Sequence, residues 1–543
     1  MNVHMPPRPG LWLKFALLAI LSIAAWARFQ GIDFGLPSMY DRDEPLFVMK
    51  GLYLLREGTF NPAWFGHPAT TTIYALAIID VALIGLGHAL GWWSDTAGFA
   101  RAIYANPGLV FLPNRWFIAA CGVACVALTY LLGRKLAGHR VGLLAAILLA
   151  VCPLHIEYSQ IIRTDMHATV FMLACLIFTV DIAEHGRRRD YALAAIMVGL
   201  SVATKWPAGL IIVAPLATVL LMPGVDLRRR LLGCFALGTG CLVTLFVVSP
   251  FLLLDYQTVL TNLAGESRPV HLGATGGGVL SNMAWYVTDP LSRTFGWAGV
   301  LLWFGGMIFA AVRLPQTRAA LVLPSVLFFI LISSQSLVWA RWTVPLLPLA
   351  ALAIAIVIVA IAAALPGGLA RGAVPAALIA LLMLPMAVTA REQAIERHQD
   401  TRRQAVEWAR THIPRSQSVV LETLLFEMLH DGWSFRYPIG TLGCVDVDAM
   451  LDQRIDYELV ERAQRGRAMI NLGTIDPKKV ATCRADYAII TERDRYAAEA
   501  SGWDAELSIY DALLVDATQV ALFKPQRGAV GGPVVRIFRL PPA

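Results

Sequence analysis

Acidic and basic side chains stand together in this chain just beyond the ends of apolar segments. The string Tyr40-Asp-Arg-Asp-Glu-Pro places Arg42, Asp43 and Glu44 side by side shortly after the first apolar run, and Arg163-Thr-Asp165 repeats the pairing. A carboxylate can orient or deprotonate a hydroxyl group, and a cation can receive the charge of a phosphate. Such chemistry requires that these side chains meet on one surface.

Further candidates of the same kinds lie between or at the ends of later apolar runs: His67, Lys205, Arg268, His271 and Arg341. Each acid or cation also has an ordinary structural role. Asp43 comes two residues before Pro45 and could cap a helix, and Asp165 could cap the next one. Lys205 and Arg341 could be cations that snorkel from helix ends to the membrane surface. The residues alone leave both interpretations open.

Composition identifies the elements that would position these residues. The chain has 543 residues, of which 57% are hydrophobic and 15% charged, against a charged fraction of about 25% in soluble proteins. Apolar runs long enough to cross a bilayer recur between residues 11 and 391, which excludes a single soluble core. The first run lacks a small-residue cleavage site, so we expect a signal anchor. The chain is therefore expected to be a polytopic α-helical membrane protein.

Basic clusters set the expected orientation. They lie at Arg134, Lys135 and Arg140, at Arg187–Arg189, at Arg228–Arg230, at Arg313 and Arg318, and at Arg371. These clusters account for the net charge of +7 as topology signals, and no nucleic-acid partner is expected. All five are cytoplasmic if residues 69–90, which contain Asp80, lie flat at the interface. The alternative is that residues 69–90 span and a neighbouring run is re-entrant.

The resulting topology has about eleven transmembrane helices, with interfacial helices in the first outer loop, the N-terminus in the cytoplasm and the C-terminus outside. It places every candidate residue named above on the outer face. The apolar domain covers residues 1–391, and residues 392–543 are expected to form a soluble α/β domain from alternating helical and strand-like patterns. Cys444 and Cys483 could form a disulfide there, or be two separate buried thiols; a zinc site is the weaker interpretation.

The motifs, in their order along the chain, resemble those of the GT-C glycosyltransferases, in particular the protein O-mannosyltransferase and aminoarabinose transferase group. They are Asp43-Glu44-Pro, Gly66-His-Pro, Arg163-x-Asp165, Thr204-Lys205 and Arg341-Trp-x-x-Pro-x-x-Pro. The resemblance covers roughly residues 11–391 and implies a GT-C fold.

The resemblance also implies roles for single residues. Asp43 becomes the catalytic base or acceptor-orienting residue, with Glu44 beside it and Asp165 as the second-loop acid. Lys205, with Arg163 and Arg341, would bind the phosphate of the donor. Residues placed near the substrate by the same resemblance are Arg42, His67, Arg268 and His271. The family's His-Pro-Pro string has Ala69 here in place of its second proline, so the role of His67 is not carried over with the motif.

The expected activity is inverting transfer of a sugar from a polyprenyl-phosphate donor to a glycan, lipid or protein acceptor. It would take place at the periplasmic face of a bacterial inner membrane. A lipid-linked sugar transporter or flippase is the alternative, although such proteins place ionisable residues near the bilayer midplane. A membrane-anchored sensor would explain the C-terminal domain but not the many spans. The sequence identifies no cofactor, and a divalent cation is left open: Asp43, Glu44 and Asp165 could supply oxygen ligands, but they form no closed ligand set.

Overall fold

The computed structural model describes residues 10–423, 425–451, 463, 470–499 and 502–542, and it has a helical membrane part followed by an α/β domain. The core of the membrane part extends from Ile20 to Met386. Two further cores fill the C-terminal domain between Ala405 and Leu540. One of them also contains Leu272, which comes from an outer loop of the membrane part. The two parts are thus packed together.

The membrane part is built almost wholly from helices. In chain order they are α1 (Leu11–Phe29), α2 (Glu44–Glu57), α3 (Thr70–Ala89), α4 (Thr96–Ala105), α5 (Gly108–Ala137), α6 (His139–Ala150), α7 (Pro153–Ser159), α8 (Thr164–His185), α9 (Arg188–Thr204), α10 (Val213–Leu220), α11 (Leu227–Val248), α12 (Phe251–Leu254), α13 (Tyr256–Glu266), α14 (Val279–Tyr286), α15 (Ser292–Arg313), α16 (Leu323–Ser333), α17 (Leu346–Ala364) and α18 (Leu369–His398). Short 3₁₀ or π segments lie at Trp206–Ile212, Val287–Leu291, Arg318–Val322 and Ala340–Thr343.

The structure confirms a polytopic helical membrane protein. Among the described residues, 8 helices are long and apolar enough to cross a membrane, or up to 9 if the bent pair α6 and α7 forms one span. Three further apolar stretches form helices of at most 17 residues, shorter than the roughly 20 that a perpendicular crossing needs: Arg188–Thr204, Trp206–Leu220 and Arg318–Ser333. Helix α3, predicted to lie flat, has the length and composition of a span. The number of crossings stays a prediction.

The bend between α6 and α7 shows how the outer loops are held. The two helices meet at 64°, because Pro153 starts a new helix and cannot continue the old one. Arg28 of α1 is fully buried there and donates hydrogen bonds to the carbonyl oxygens of Leu149 and Ala150, each at 3.0 Å. A cation at these carbonyls stabilises the negative end of α6. The bend brings α7 and the segment before α8 to the first outer loop, where Gln160 donates to the carbonyl of Gln30 at 2.9 Å.

The C-terminal domain is an α/β domain, as predicted. Its elements are α19 (Thr401–His412), β1 (Ser418–Leu421), α20 (Phe426–Leu429), β2 (Ser434–Pro438), β3 (Cys444–Asp446), α21 (Val447–Leu451), β4 (Tyr487–Ile490), α22 (Arg493–Ala498), α23 (Asp504–Leu513), β5 (Thr518–Phe523) and β6 (Val535–Arg539). The sheet order is β3-β2-β1-β4-β6-β5. Strand β1 pairs in parallel with both β2 and β4, and the outer pairs are antiparallel.

Cys444 and Cys483 form a disulfide, with Cα atoms 4.9 Å apart. The bond joins β3 to the end of the 3₁₀ segment Pro477–Cys483. Of the two interpretations left open by the sequence, the structure therefore shows the disulfide. The other six cysteines are free, and five of them are buried in the membrane part.

Candidate functional site

Asp43 stands at the first residue before α2, but its carboxylate does not cap that helix. The side chain makes no capping hydrogen bond and instead accepts one from Nη1 of Arg163. Helix α2 can begin here without that cap because Pro45 lies in its first turn, where a missing N–H costs nothing. The Asp43 side chain is 41% exposed. It is therefore available to a molecule that enters from the outer surface.

Arg163 joins two carboxylates of the first outer loop. Its Nη2 donates to both carboxylate oxygens of Asp41, at 3.0 and 2.8 Å, while Nη1 binds Asp43. The arginine precedes α8 in extended conformation and is only 11% exposed. Both guanidinium nitrogens that could fork around a phosphate are therefore already engaged by aspartates.

Asp165 and Lys205 form a second pair, buried behind the first. Their side chains are 2% and 8% exposed, and Nζ of Lys205 donates to Oδ1 of Asp165. Lys205 ends α9 and is tied to the first outer loop by backbone contacts: Ala69 N–H donates to Thr204, and Trp206 N–H donates to the carbonyl of His67 at 2.8 Å. Lys205 is thus an internal ion-pair partner and not a snorkelling residue.

Arg341 is the cation of the site with the fewest partners. It lies in the 3₁₀ segment Ala340–Thr343, and its guanidinium carbon is 4.0 Å from the centre of the Trp339 ring. Its side chain is 12% exposed, and Nη2 is 3.9 Å from Oδ2 of Asp43. Within the described part of the chain its Nε has no hydrogen-bond partner. Arg341 therefore presents a guanidinium group with few protein contacts beside the exposed carboxylate of Asp43.

The outer loop that contains His271 packs against the same tryptophan. The His271 ring lies 4.9 Å from that of Trp339, and Val338 N–H donates to the carbonyl of Ala274 at 2.8 Å. Arg268 is turned toward its own helix end, where Nε donates to the carbonyl of Gly265 at 2.7 Å. The structure therefore brings His271 to the site through Trp339, whereas the Arg268 guanidinium contacts Gly265 and Glu266 at the end of its own helix.

His67 packs between aromatic rings at the inner side of the site. Its ring centroid is 5.4 Å from that of Trp64 and 5.9 Å from that of Phe47, and Nδ1 is 3.4 Å from the hydroxyl oxygen of Thr164. Burial lowers the pKa of His67 to about 3, and the charge of Lys205 contributes to the shift. His67 is therefore neutral at physiological pH.

Glu44 faces away from this group of residues. It is wholly buried and forms a bidentate ion pair with Arg115 of α5, at 2.8 and 2.6 Å. Arg115 also donates to the carbonyls of Ile32 and Phe34, and the N–H of Ile162 donates to Glu44. In the structure, Glu44 therefore links loops to one another. Its carboxylate does not reach the surface where Asp43 lies.

Arg42 also points away from the site, toward the C-terminal domain. Its Nη2 donates to Oε1 of Glu492 at 2.7 Å. Sequence reasoning missed Glu492, as well as Asp41 and Arg115, as partners of the named residues. Asp41 belongs to the same acidic string, and Arg115 is a lone charge at the start of a long apolar run, so both had a signal in the sequence. Glu492 had none.

Electrostatics keep Asp43 ionised. Burial alone would raise the pKa of its carboxyl, but the charges of Arg163 and Arg341 outweigh that effect and lower the pKa to about 2. A carboxylate with this pKa is negatively charged at any physiological pH. It can accept a hydrogen bond from a hydroxyl group throughout that range.

The carboxylates proposed for a divalent cation do not converge. Asp43, Glu44 and Asp165 are bound by three different cations: Arg163, Arg115 and Lys205. The group of His, Cys, Asp or Glu residues with metal-like spacing in the described ranges is Asp181, Glu184 and His185. It lies at the opposite end of α8, and Lys135 already donates to Asp181 at 2.6 Å. These residues do not fit a metal centre at the candidate site.

Comparison with known proteins gives the class of the fold. A family model described as dolichyl-phosphate-mannose-protein mannosyltransferase matches residues 101–254, which contain Arg163, Asp165 and Lys205. No curated protein matches the sequence closely enough to count as a relative.

Several solved structures resemble nearly all of this chain, among them the following two. The oligosaccharyltransferase of Archaeoglobus fulgidus, tethered to an acceptor peptide, has a TM-score of 0.53 at 12% identity, over 93% of this chain and 72% of that one. ArnT from Cupriavidus metallidurans in the apo state has a TM-score of 0.52 at 14% identity, over 97% of this chain and 98% of that one. The chain has the fold of the GT-C glycosyltransferase superfamily. The match to the ArnT structure extends over nearly the full length of both chains.

Proposed function

We propose that this protein is an inverting glycosyltransferase that moves a sugar from a polyprenyl phosphate to an acceptor at the outer face of a bacterial inner membrane. The observation that carries the proposal is the pairing of the exposed Asp43 carboxylate with the Arg341 guanidinium, 3.9 Å apart. One group suits an acceptor hydroxyl, and the other suits a phosphate. The Archaeoglobus oligosaccharyltransferase has also been solved with dolichol-phosphate, which supports a lipid-phosphate donor.

The proposed reaction is a single displacement. The acceptor oxygen bonds to the anomeric carbon while the bond from that carbon to the phosphate oxygen breaks, and the electron pair leaves with the phosphate. Asp43 orients the acceptor hydroxyl and takes its proton. Arg341 stabilises the charge that develops on the phosphate. If the acceptor is itself a phosphate, Asp43 orients it without taking a proton.

The roles of the remaining charged residues follow from their contacts. Arg163 holds Asp43 in place, because its guanidinium binds both Asp43 and Asp41. The buried Asp165 and Lys205 pair sits behind this layer. We assign Lys205 to the electrostatic support of the phosphate site, and Arg341 to direct contact. Glu44 and Arg42 are positioning residues in this proposal and take no part in proton transfer.

The test is transfer by the purified full-length protein. It is incubated with a panel of polyprenyl-phosphate sugars and candidate glycan, lipid and peptide acceptors, and products are identified by mass spectrometry. Asp43→Asn keeps the side-chain size and should lower turnover by roughly 10²- to 10⁴-fold, since the general base is lost. The matched control is Asp33→Asn, which removes an exposed carboxylate from the same outer loop. Near-full activity of the Asp43 variant, or an equal loss in the control, would refute the proposed role.

A further inference from the structure

The C-terminal domain contacts both outer loops of the candidate site. Arg42, between Asp41 and Asp43, donates to Glu492. Beside it, Tyr40 OH donates to Glu427 at 3.3 Å and the Arg402 guanidinium stacks 3.8 Å from the Tyr40 ring centre. The segment from residue 40 to residue 43 therefore alternates between two partners: residues 40 and 42 bind the C-terminal domain, and residues 41 and 43 bind Arg163.

The other of these loops, which contains Leu272 and Gly273, is held by the same part of that domain. Arg495 donates to the carbonyl of Leu272 at 3.3 Å and to Oε2 of Glu492 at 2.8 Å. Gly273 N–H donates to Glu499 at 2.8 Å, and the Leu272 side chain is fully buried in a core of the C-terminal domain. The two carboxylate oxygens of Glu492 thus bind one arginine from the first loop and one arginine that holds the second.

Glu492 is itself fixed by the architecture of the sheet. Strands β1 and β4 are parallel neighbours, so their carboxyl ends lie at one edge of the sheet. Glu422 follows β1 and is fully buried. It accepts hydrogen bonds from the N–H groups of Thr491 and Glu492, at 2.6 and 2.8 Å, and from the hydroxyl of Tyr510. These hydrogen bonds to Glu422 therefore fix the backbone at Glu492.

The Glu492 side chain is 4% exposed, whereas Arg42 is 41% exposed. This carboxylate is enclosed and bound to two arginines. It therefore loses little additional conformational entropy when it holds the loop. We infer that Glu492 is a positioning residue for the transfer reaction, which fixes the first outer loop through Arg42 so that Asp43 keeps its place beside Arg341. The inference rests on the proposed function and adds to it a requirement for the C-terminal domain.

Kinetics of the full-length protein test the inference. Glu492→Gln keeps the side-chain size and removes its charge, and Arg42→Gln removes the other partner. Each should lower kcat by about 10- to 100-fold, because small misplacements of a reacting group have effects of this size, while donor KM stays within about twofold. Because both variants break the same contact between Arg42 and Glu492, their effects should not add. The double variant should be no slower than the slower of the two single variants.

A matched control is available in the same domain. Asp494 lies two residues from Glu492 and pairs with Arg536 of β6, at 3.1 Å. Asp494→Asn removes a carboxylate from an ion pair that does not touch the outer loops, and kcat should stay within about twofold of wild type. Wild-type kcat in Glu492→Gln, or a double-variant loss equal to the product of the two single losses, would overturn the inference.

A second measurement separates this inference from the proposed function. Hydrogen–deuterium exchange of the backbone amides at residues 39–43 should be faster in Glu492→Gln and Arg42→Gln than in wild type, and unchanged in Asp494→Asn. Unchanged exchange in the first two variants would refute the link. If wild-type protein transfers no sugar from any donor, the proposed function fails, and the exchange comparison still decides whether Glu492 holds the loop.

Discussion

Asp43 and Glu44 are neighbours in sequence whose carboxylates meet entirely different surroundings. Asp43 lies half exposed beside two arginines, and Glu44 is buried against a third. Adjacent residues point in different directions in any regular backbone, so a shared chemical type did not mean a shared role. In the proposed function, acid–base chemistry therefore depends on Asp43 alone of this pair.

The low pKa of Asp43 predicts how activity responds to pH. A carboxyl with a pKa near 2 loses its charge only as the pH falls toward that value, and His67, with a pKa near 3, stays neutral above it. Neither group titrates between about pH 5 and pH 8, so kcat/KM should show no acid limb from them there. In Arg163→Gln the pKa of Asp43 should rise, and the acid limb should move to higher pH. A wild-type acid limb that Arg163→Gln leaves in place would contradict this assignment.

Replacements of Arg341 and of Lys205 should have different effects on thermal stability. Arg341→Gln should weaken donor binding by roughly 10- to 100-fold, the value of one charge-assisted hydrogen bond, with little change in thermal stability. Lys205→Ala should lower stability as well, because it leaves buried Asp165 without a partner. Titration with a polyprenyl phosphate, together with thermal unfolding, measures both effects. Equal donor affinity in Arg341→Gln and wild type would remove Arg341 from the phosphate site.

At the scale of elements, the Glu44–Arg115 pair joins the start of α2 to α5. Glu44→Gln leaves the wholly buried Arg115 with an uncompensated charge, which should destabilise the protein by about 3–5 kcal/mol. Thermal unfolding of the detergent-purified protein measures this. Unchanged stability together with a large loss of turnover would instead show that Glu44 takes part in the chemistry.

The disulfide should stabilise the C-terminal domain. It closes a loop across a sequence separation of 39, which corresponds to about 4 kcal/mol in the chain-entropy model. Cys444→Ser with Cys483→Ser should therefore unfold this domain at a lower temperature. In the unreduced, denatured wild-type protein, a thiol reagent should modify neither cysteine. Modification of both would show that the disulfide does not form.

Sequence predicted the elements better than their contacts. Apolar runs located the membrane helices because burial in lipid requires an unbroken apolar stretch, and the alternating patterns after residue 391 predicted the α/β domain. Contacts such as Arg42 with Glu492, 450 positions apart, depend on how two domains pack, and no local pattern reports that. Lys205 could not be separated from a snorkelling lysine for the same reason: its partner Asp165 belongs to another helix.

For the whole molecule, the predicted orientation places the candidate site and the C-terminal domain on one side of the membrane. In α8 and α9 the site residues and the basic clusters do lie at opposite helix ends: Asp165 near one end of α8, and Arg188 at the start of the helix that Lys205 follows. This arrangement separates these residues from the basic clusters along the helices, and the cytoplasmic position of the clusters stays a prediction.

Labelling of intact cells tests that orientation. Val515→Cys introduces a thiol at a position of the C-terminal domain that is 59% exposed, and Arg228→Cys introduces one in a basic cluster. A membrane-impermeant maleimide should modify the first and not the second, and after lysis it should modify both. The reverse pattern would place the C-terminal domain in the cytoplasm and overturn the topology.

The contact between Arg42 and Glu492 also has an evolutionary consequence. A substitution at Arg42 removes one of the two cations bound to Glu492, and a substitution at Glu492 leaves Arg42 without its carboxylate partner. Among homologues the two residues should therefore change together, although they lie in different domains. A chimaera that joins the membrane part of one homologue to the C-terminal domain of another should fold in both halves and still transfer poorly. Replacing residue 42 of the chimaera by the residue found in the homologue that supplied the C-terminal domain should restore transfer. The membrane part and the C-terminal domain of this protein are therefore expected to evolve together.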